Sequence, residues 1–187
     1  MPNEEIIDII RNFVEQECKK PSSKYGYEPY ESHFVPVVKY AKILAEKYNA
    51  DLEIVEISAW LHDIGSIIYG REDHHLTGAE IAEKKLRELN YPEEKIQKVK
   101  HCIISHRGSK EISRESKEAQ IIADADSMSN FDNLPGIFKA AFVYENLHQL
   151  EAKSSVKQKL NNCYNKISEN SKDIIKPKYE AAMLLLS

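Results

Sequence analysis

The sequence predicts an all-α fold, and three observations carry that expectation. Apolar residues recur at spacings of three and four along most of the chain. Six glycines in 187 residues, with no Asn-Gly pair, leave little turn chemistry for β-hairpins. Capping residues and prolines punctuate the apolar pattern where helices should begin and end. The length is that of one domain, so a single unit spanning 1–187 is expected.

Taken in order, Ile6, Ile7, Ile10, Phe13, Val14 and Cys18 mark a first amphipathic helix over 3–19. The stretch 21–32, with Gly26, Pro29 and three tyrosines, breaks it. Val37, Tyr40, Ala41 and Leu44 carry a second helix over 33–48, ended by Asn49-Ala50-Asp51. A third covers 52–63 and stops at Gly65. Thr77, with Glu80 three residues later, predicts a capping box opening a helix whose stripe is Ile81, Ala82, Leu86 and Leu89. Pro92 suits the first position of the next helix, which runs to about His106 and stops near Gly108. A polar segment, 109–116, precedes an apolar helix over 118–130. Pro135-Gly136 breaks the chain again, and the last helices are expected over 137–151, 155–168 and 178–186, with Pro177 starting the final one.

Composition narrows the partners. Against 30 acidic residues stand 26 basic ones, a net charge of −4, which provides no basic face for polymeric nucleic acid. No apolar run approaches the roughly 20 residues that span a bilayer, and the opening residues Met1 to Glu5 do not resemble a secretory leader, so a cytoplasmic protein without membrane contact is expected. Cys18, Cys102 and Cys163 form no CxxC pair and read as small buried apolar residues.

The histidines are the informative feature. His33 opens one predicted helix while His62 and Asp63 close the next, so antiparallel packing of the 33–63 hairpin brings the three together. In the 77–106 hairpin, His74 and His75 precede the first helix and His106 ends the second, with the same consequence. Any one histidine at a helix end is more often a cap than a ligand, and His148 keeps that reading. Asp124 and Asp126 stand in an otherwise apolar helix, about 200° apart around its axis, so only one of them faces a shared site. A buried charge there needs a cation or a partner. His101 and His106 diverge by about 140° for the same reason, and His106, nearer the helix end, is the better candidate.

His33 with Val37 and Ala41 downstream, the segment Ala59-Trp60-Leu61-His62-Asp63-Ile64-Gly65, and Ala125-Asp126-Ser127-Met128 together resemble the H…HD…D pattern of the HD-domain metal-dependent phosphohydrolases. The resemblance covers about residues 30–140, with the helix at 3–19 and those at 137–187 packing on that core. It implies an all-α fold and one divalent cation held by His33, His62, Asp63 and Asp126. His74 and His106 match positions that in some subgroups serve a second ion or the substrate phosphate, and with Asp63 they are the implied catalytic residues. The chain lacks both the Gly-Tyr-Pro that follows His106 in cyclic-dinucleotide phosphodiesterases and the acidic pair that follows His-Asp in alarmone hydrolases.

Two imidazoles and two carboxylates suit Mn²⁺, Fe²⁺, Co²⁺, Ni²⁺ or Zn²⁺ better than an all-oxygen ion, with Mg²⁺ also allowed. The expected reaction is hydrolysis of a small phosphate ester, a nucleotide or related phosphomonoester, with Arg71, Arg107 or Lys110 as candidate cations from the loops. Two other classes use the same residues: a di-iron oxygenase of HD type, and a metal-stabilised module that binds a nucleotide without turning it over.

Overall fold

The computed structural model describes residues 4–107 and 112–187 and is helical throughout, with no strand among them. Helix α1 (Glu4–Lys19) places Glu4 and Glu5 in its first turn, against the positive end of the helix dipole, and buries Ile7, Ile10, Val14 and Cys18. Helix α2 (Val35–Tyr48) is preceded by a widened π-helical turn, Tyr30–Phe34, so its helical path starts three residues before the predicted boundary and carries His33 in that turn. Asn49, in the left-handed region at φ 49°, ends α2. Asp51 then caps α3 (Leu52–Leu61), its side chain accepting from the backbone N–H groups of Glu53 (3.1 Å) and Ile54 (3.2 Å). Every residue of α3 from Ile54 to Leu61 is buried, because this helix is the centre of the fold, with α1, α2, α6 (Glu93–Ser105) and α7 (Lys117–Ser129) packed around it.

Gly65 does not stop the chain's helical course. After α3 ends at Leu61, a short helix α4 (Ile64–Tyr69) begins at once and contains Gly65. The reason for a glycine is contact with α5 (His74–Glu88): a Cβ at this position would lie 2.3 Å from the carbonyl oxygen of His74 and 2.7 Å from the backbone nitrogen of Gly78. Helix α5 itself starts earlier than its sequence indicates. Asp73 turns the chain in at φ 46°, and Thr77 sits inside the first turn, bonded back to Asp73 and His74, so it is not the cap of a capping box. Pro92 precedes α6 instead of opening it, and Ser116 caps α7 by accepting from Ala119 N–H at 3.1 Å. Gly108 and Lys110 lie outside the described residues.

The C-terminal third departs most from its predicted boundaries. Pro135 and Gly136 lie in the first turn of α8 (Leu134–Lys139), where a missing N–H costs nothing, and a second π-helical turn follows over Ala140–Tyr144. The break falls instead at 145–148, where Asn146 takes φ 53°. Helix α9 (Gln149–Lys166) then runs unbroken through the predicted gap, and α10 (Lys172–Leu185) carries Pro177 inside it. Tertiary anchors hold α10 together around that proline: Ile175 is buried, Tyr179 stacks on Tyr164 of α9 with ring centroids 3.9 Å apart, and Lys178 pairs with Asp132. No helix among the described residues is long and apolar enough to cross a membrane.

The Gly65 contact gives a direct expectation. Gly65→Ala should push the first turn of α5 away from α4 and cost about 1–3 kcal/mol. Because that turn holds His74, a chemical-denaturation curve and metal titration on the same variant should both weaken; unchanged stability would mean the two helices do not approach this closely.

Candidate metal centre

Two adjacent residues of one continuous helix point about 100° apart and cannot both face one point. Here the break between α3 and α4 falls between His62 and Asp63: His62 keeps helical backbone as the last turn of α3 closes, while Asp63 (φ −112°, ψ 13°) starts α4. That break brings both side chains to the same place. His33 arrives from the π-helical turn, His74 from the first position of α5, His106 from the end of α6 and Asp126 from the third turn of α7.

The six side chains form two adjoining groups around Asp63. In one, His33 Nε2 lies 3.0 Å from His62 Nε2, 3.5 Å from Asp63 Oδ2 and 3.6 Å from Asp126 Oδ1, with His62 Nε2 3.9 Å from the same Asp126 oxygen. In the other, Asp63 Oδ1 lies 3.2 Å from His74 Nε2 and 3.5 Å from His106 Nε2. His33, His62 and Asp63 can hold one ion between them, and Asp63, His74 and His106 another. The histidines His62, His74 and His106 are buried, whereas Asp63 and Asp126 keep 23% and 30% of their side-chain surface, so the site opens to solvent along its acidic edge.

The second nitrogen of each imidazole is committed. The Nδ1–H groups of His62, His74 and His106 donate to the backbone carbonyls of Ala59 (2.8 Å), Arg71 (2.8 Å) and Ile103 (2.5 Å), three residues back in each case. His33 Nδ1 donates to Ser129 Oγ (3.2 Å), which spends its own proton on the Asp126 carbonyl (2.7 Å). Each neutral ring therefore turns a bare Nε2 lone pair inward, which is how metal-ligating histidines are held. Two such nitrogens 3.0 Å apart repel unless a proton or a cation lies between them. Among the described residues, Asp63 Oδ1 is buried and meets no hydrogen-bond donor in bonding geometry, although two imidazoles stand close to it. An acceptor-only cluster of this kind fits a divalent cation.

Charge on the ring nitrogens and on Asp63 is coupled. Burial opposes the charge of Asp63, but His106, His33 and His62 outweigh it and hold its carboxyl well below the usual range. Burial pushes His62 down to about 4 and lowers His74. Burial also works against the protons of His33 and His106, yet Asp63, with Asp126, raises both above the ordinary histidine value.

The remaining candidates are elsewhere. Asp124 faces away from the cluster and is fully used in packing, accepting from Ser168 N–H (3.1 Å), Ser168 Oγ (2.5 Å) and Gln120 Nε2 (2.8 Å). His75 is turned to Arg107, with Nδ1 3.3 Å from the guanidinium. His101 accepts from Glu115 N–H, and the His148 N–H donates to Glu151 at the start of α9. The three cysteines are free and buried, and burial raises the Cys102 thiol to about 12. Ser129, which accepts from His33 Nδ1–H and so fixes that ring, was not singled out by the sequence.

The HD domain family matches this chain over residues 30–130, which contain all six converging side chains. The chain belongs to the HD-domain family. An uncharacterised protein from Clostridium beijerinckii is 32% identical over 101 residues, covering 52% of this chain, and the match spans only 62% of that protein's length. An HD-superfamily hydrolase from Bacillus thuringiensis superimposes with a TM-score of 0.72 at 18% identity, over 98% of this chain and 94% of that one. The crystal structure of Bacillus subtilis YpgQ in complex with ADP matches with a TM-score of 0.67 at 24% identity, over 96% and 92% of the two chains. The chain thus shares its fold with these two structures over nearly its whole length.

Proposed function

We propose that this HD protein is a metal-dependent phosphohydrolase that acts on a small phosphate ester, a nucleotide in preference to other esters. The observation that carries the reading is Asp63, whose two oxygens serve two adjoining groups of inward-facing imidazole nitrogens. His33, His62, Asp63 and Asp126 would hold one divalent cation. His74 and His106, with Asp63 Oδ1, would hold a second ion or receive the substrate phosphate. A bound cation supplies Lewis acidity, withdrawing charge from a phosphoryl oxygen and lowering the pKa of a water.

The chain's own residues do the rest. Asp63 Oδ1, an acceptor without a hydrogen bond of its own, orients an attacking water by accepting its proton's hydrogen bond. The backbone carbonyls of Ala59, Arg71 and Ile103 lock the ring tautomers, and the buried rings close the inner wall against bulk water. The nucleotide preference is supported by the ADP complex of YpgQ, a protein with the same fold. A net charge of −4 supports a small anion over a polymeric one.

The test is phosphate release from nucleotides, sugar phosphates and cyclic nucleotides, run with Mn²⁺, Co²⁺, Ni²⁺ and Mg²⁺ in parallel. Release that requires the metal and disappears with a chelator supports the reading. No release from any ester, with iron bound and oxygen consumed, would replace it with the oxygenase. ADP bound without turnover under every metal would replace it with the nucleotide-binding module. Within an active preparation, His74→Ala and His106→Ala should each lower turnover by about tenfold to a hundredfold; full turnover in both would make the pair structural.

A further inference from the structure

Helix α1 lies outside residues 30–130, the span of the HD family, yet a row of stacked aromatic rings ties it to the metal site. Tyr30 opens the π-helical turn that carries His33, and its carbonyl closes that turn by accepting from Val35 N–H, five residues on. Its ring stacks on Trp60 of α3, with centroids 5.7 Å apart and 17° between the planes. Tyr27 stacks on the same Tyr30 ring at 5.5 Å and 20°. Tyr27 is fixed in turn to the end of α1, where its hydroxyl donates to Glu15 at 3.1 Å and Lys19 Nζ lies 5.1 Å from its ring centroid. Trp60 is buried and its indole N–H has no hydrogen-bond partner among the described residues, so packing and stacking alone set this ring.

The two segments joined by the Tyr30 and Trp60 rings are the ones that carry the facing imidazoles. Tyr30 shares its turn with His33, and Trp60 stands two residues before His62, whose Nε2 lies 3.0 Å from His33 Nε2. Phe34, the last residue of the turn, is fully buried and meets the His62 ring edge-on at 5.5 Å. A π-helical turn is rare and persists where its surroundings hold it. Relaxed to an α-helical turn it would hold one residue fewer, which rotates the residues before Val35 by up to about 100° around the helix axis. We propose that Tyr30 is a positioning residue of the metal site, its ring, stacked with Tyr27 and Trp60, keeping the turn wide so that His33 Nε2 meets His62 and Asp63. The inference rests on the metal-binding part of the phosphohydrolase reading and adds α1 to the elements on which the site depends.

The experiment uses the full chain freed of metal, with Mn²⁺ as the probe. Calorimetric Mn²⁺ affinity, the emission of Trp60, which is the sole tryptophan, and circular dichroism are measured for each protein. The set is wild type, Tyr30→Phe, Tyr30→Leu, His33→Ala, the double variant of Tyr30→Leu with His33→Ala, and the control Tyr25→Leu, at an exposed tyrosine. Tyr30→Leu should raise the Mn²⁺ Kd about tenfold and move the Trp60 emission to longer wavelength. Tyr30→Phe keeps the ring and should hold the Kd within about threefold of wild type, and Tyr25→Leu should match wild type. In the His33→Ala background, Tyr30→Leu should change the Kd by less than about twofold, because the ligand it positions is gone. An equal loss in both backgrounds would overturn the inference by showing that the ring supports the fold and not His33. A wild-type Kd in Tyr30→Leu would overturn it while leaving the metal reading intact. If Tyr30→Leu lacks native helicity, Tyr27→Leu takes its place, with a Kd raised about threefold supporting the inference and a wild-type Kd overturning it. Wild type that binds no Mn²⁺ would overturn both.

Discussion

Asp63→Asn should lower metal occupancy and phosphate release together, each by about a hundredfold or more. The substitution keeps the volume of the side chain and removes its charge, so the packing between α3 and α4 is preserved while both ligand groups lose their common member. Oδ2 lies 3.5 Å from His33 Nε2, and Oδ1 lies 3.2 Å from His74 Nε2 and 3.5 Å from His106 Nε2. An amide nitrogen in either position presents protons where a cation needs an electron pair. The carboxyl is held well below the usual range, so wild type keeps its charge throughout the neutral range and the variant's deficit should not be recovered by raising pH. Metal analysis, phosphate release and circular dichroism on one preparation decide the matter. A variant with native helicity and wild-type metal content would remove Asp63 from the ligand set.

The second large effect separates two aspartates that lie two positions apart on α7. Asp124→Ala should destabilise the protein by about 3 kcal/mol, because it strips the acceptor from Ser168 N–H, Ser168 Oγ and Gln120 Nε2 at a position that is 1% exposed. A change of that size lowers Tm by roughly 6–12 °C in a chain of this length. Its metal content should stay at the wild-type level. Asp126→Ala should do the reverse: its carboxylate is partly exposed and points at His33 and His62, so the metal-free variant should melt like the metal-free wild type while metal affinity falls. Thermal melts and metal titrations on both variants test the pair. The opposite assignment of effects would exchange their roles.

Much of this site was legible in residue types and spacing. A helix dictates which residues share a face, so a charge two positions from another on an apolar helix had to point elsewhere, and Asp124 and Asp126 do diverge. Hairpin reasoning put His33, His62 and Asp63 together, and His74 and His106 together, at an open end that the two hairpins share, because short connections leave antiparallel helices little choice. The misreadings share a different origin. Gly65 was expected to end a helix, and Thr77 to begin one, from local propensity alone; the close approach of α4 to α5 decides both, and a glycine inside a helix is what allows it. Pro177 was expected to start a helix, but the burial of Ile175 and the stacking of Tyr179 on Tyr164 extend α10 through it. Ser129 carried no signal of its own, since an isolated serine on a helix is ordinarily a solvated residue.

By itself, then, the sequence determined that the chain is helical, which stripes are buried, and that five His and Asp residues stand at helix ends while Asp126 lies within an apolar helix; these are local properties, set by periodicity over a few turns. Only the tertiary structure decided that these side chains gather in two adjoining groups that share Asp63, with Asp126 beside His33 and His62, and that the break between α3 and α4 turns His62 and Asp63 to one point. Those outcomes depend on how helices far apart in sequence pack on α3. Packing is settled by the fit of whole faces against one another, which no single segment encodes.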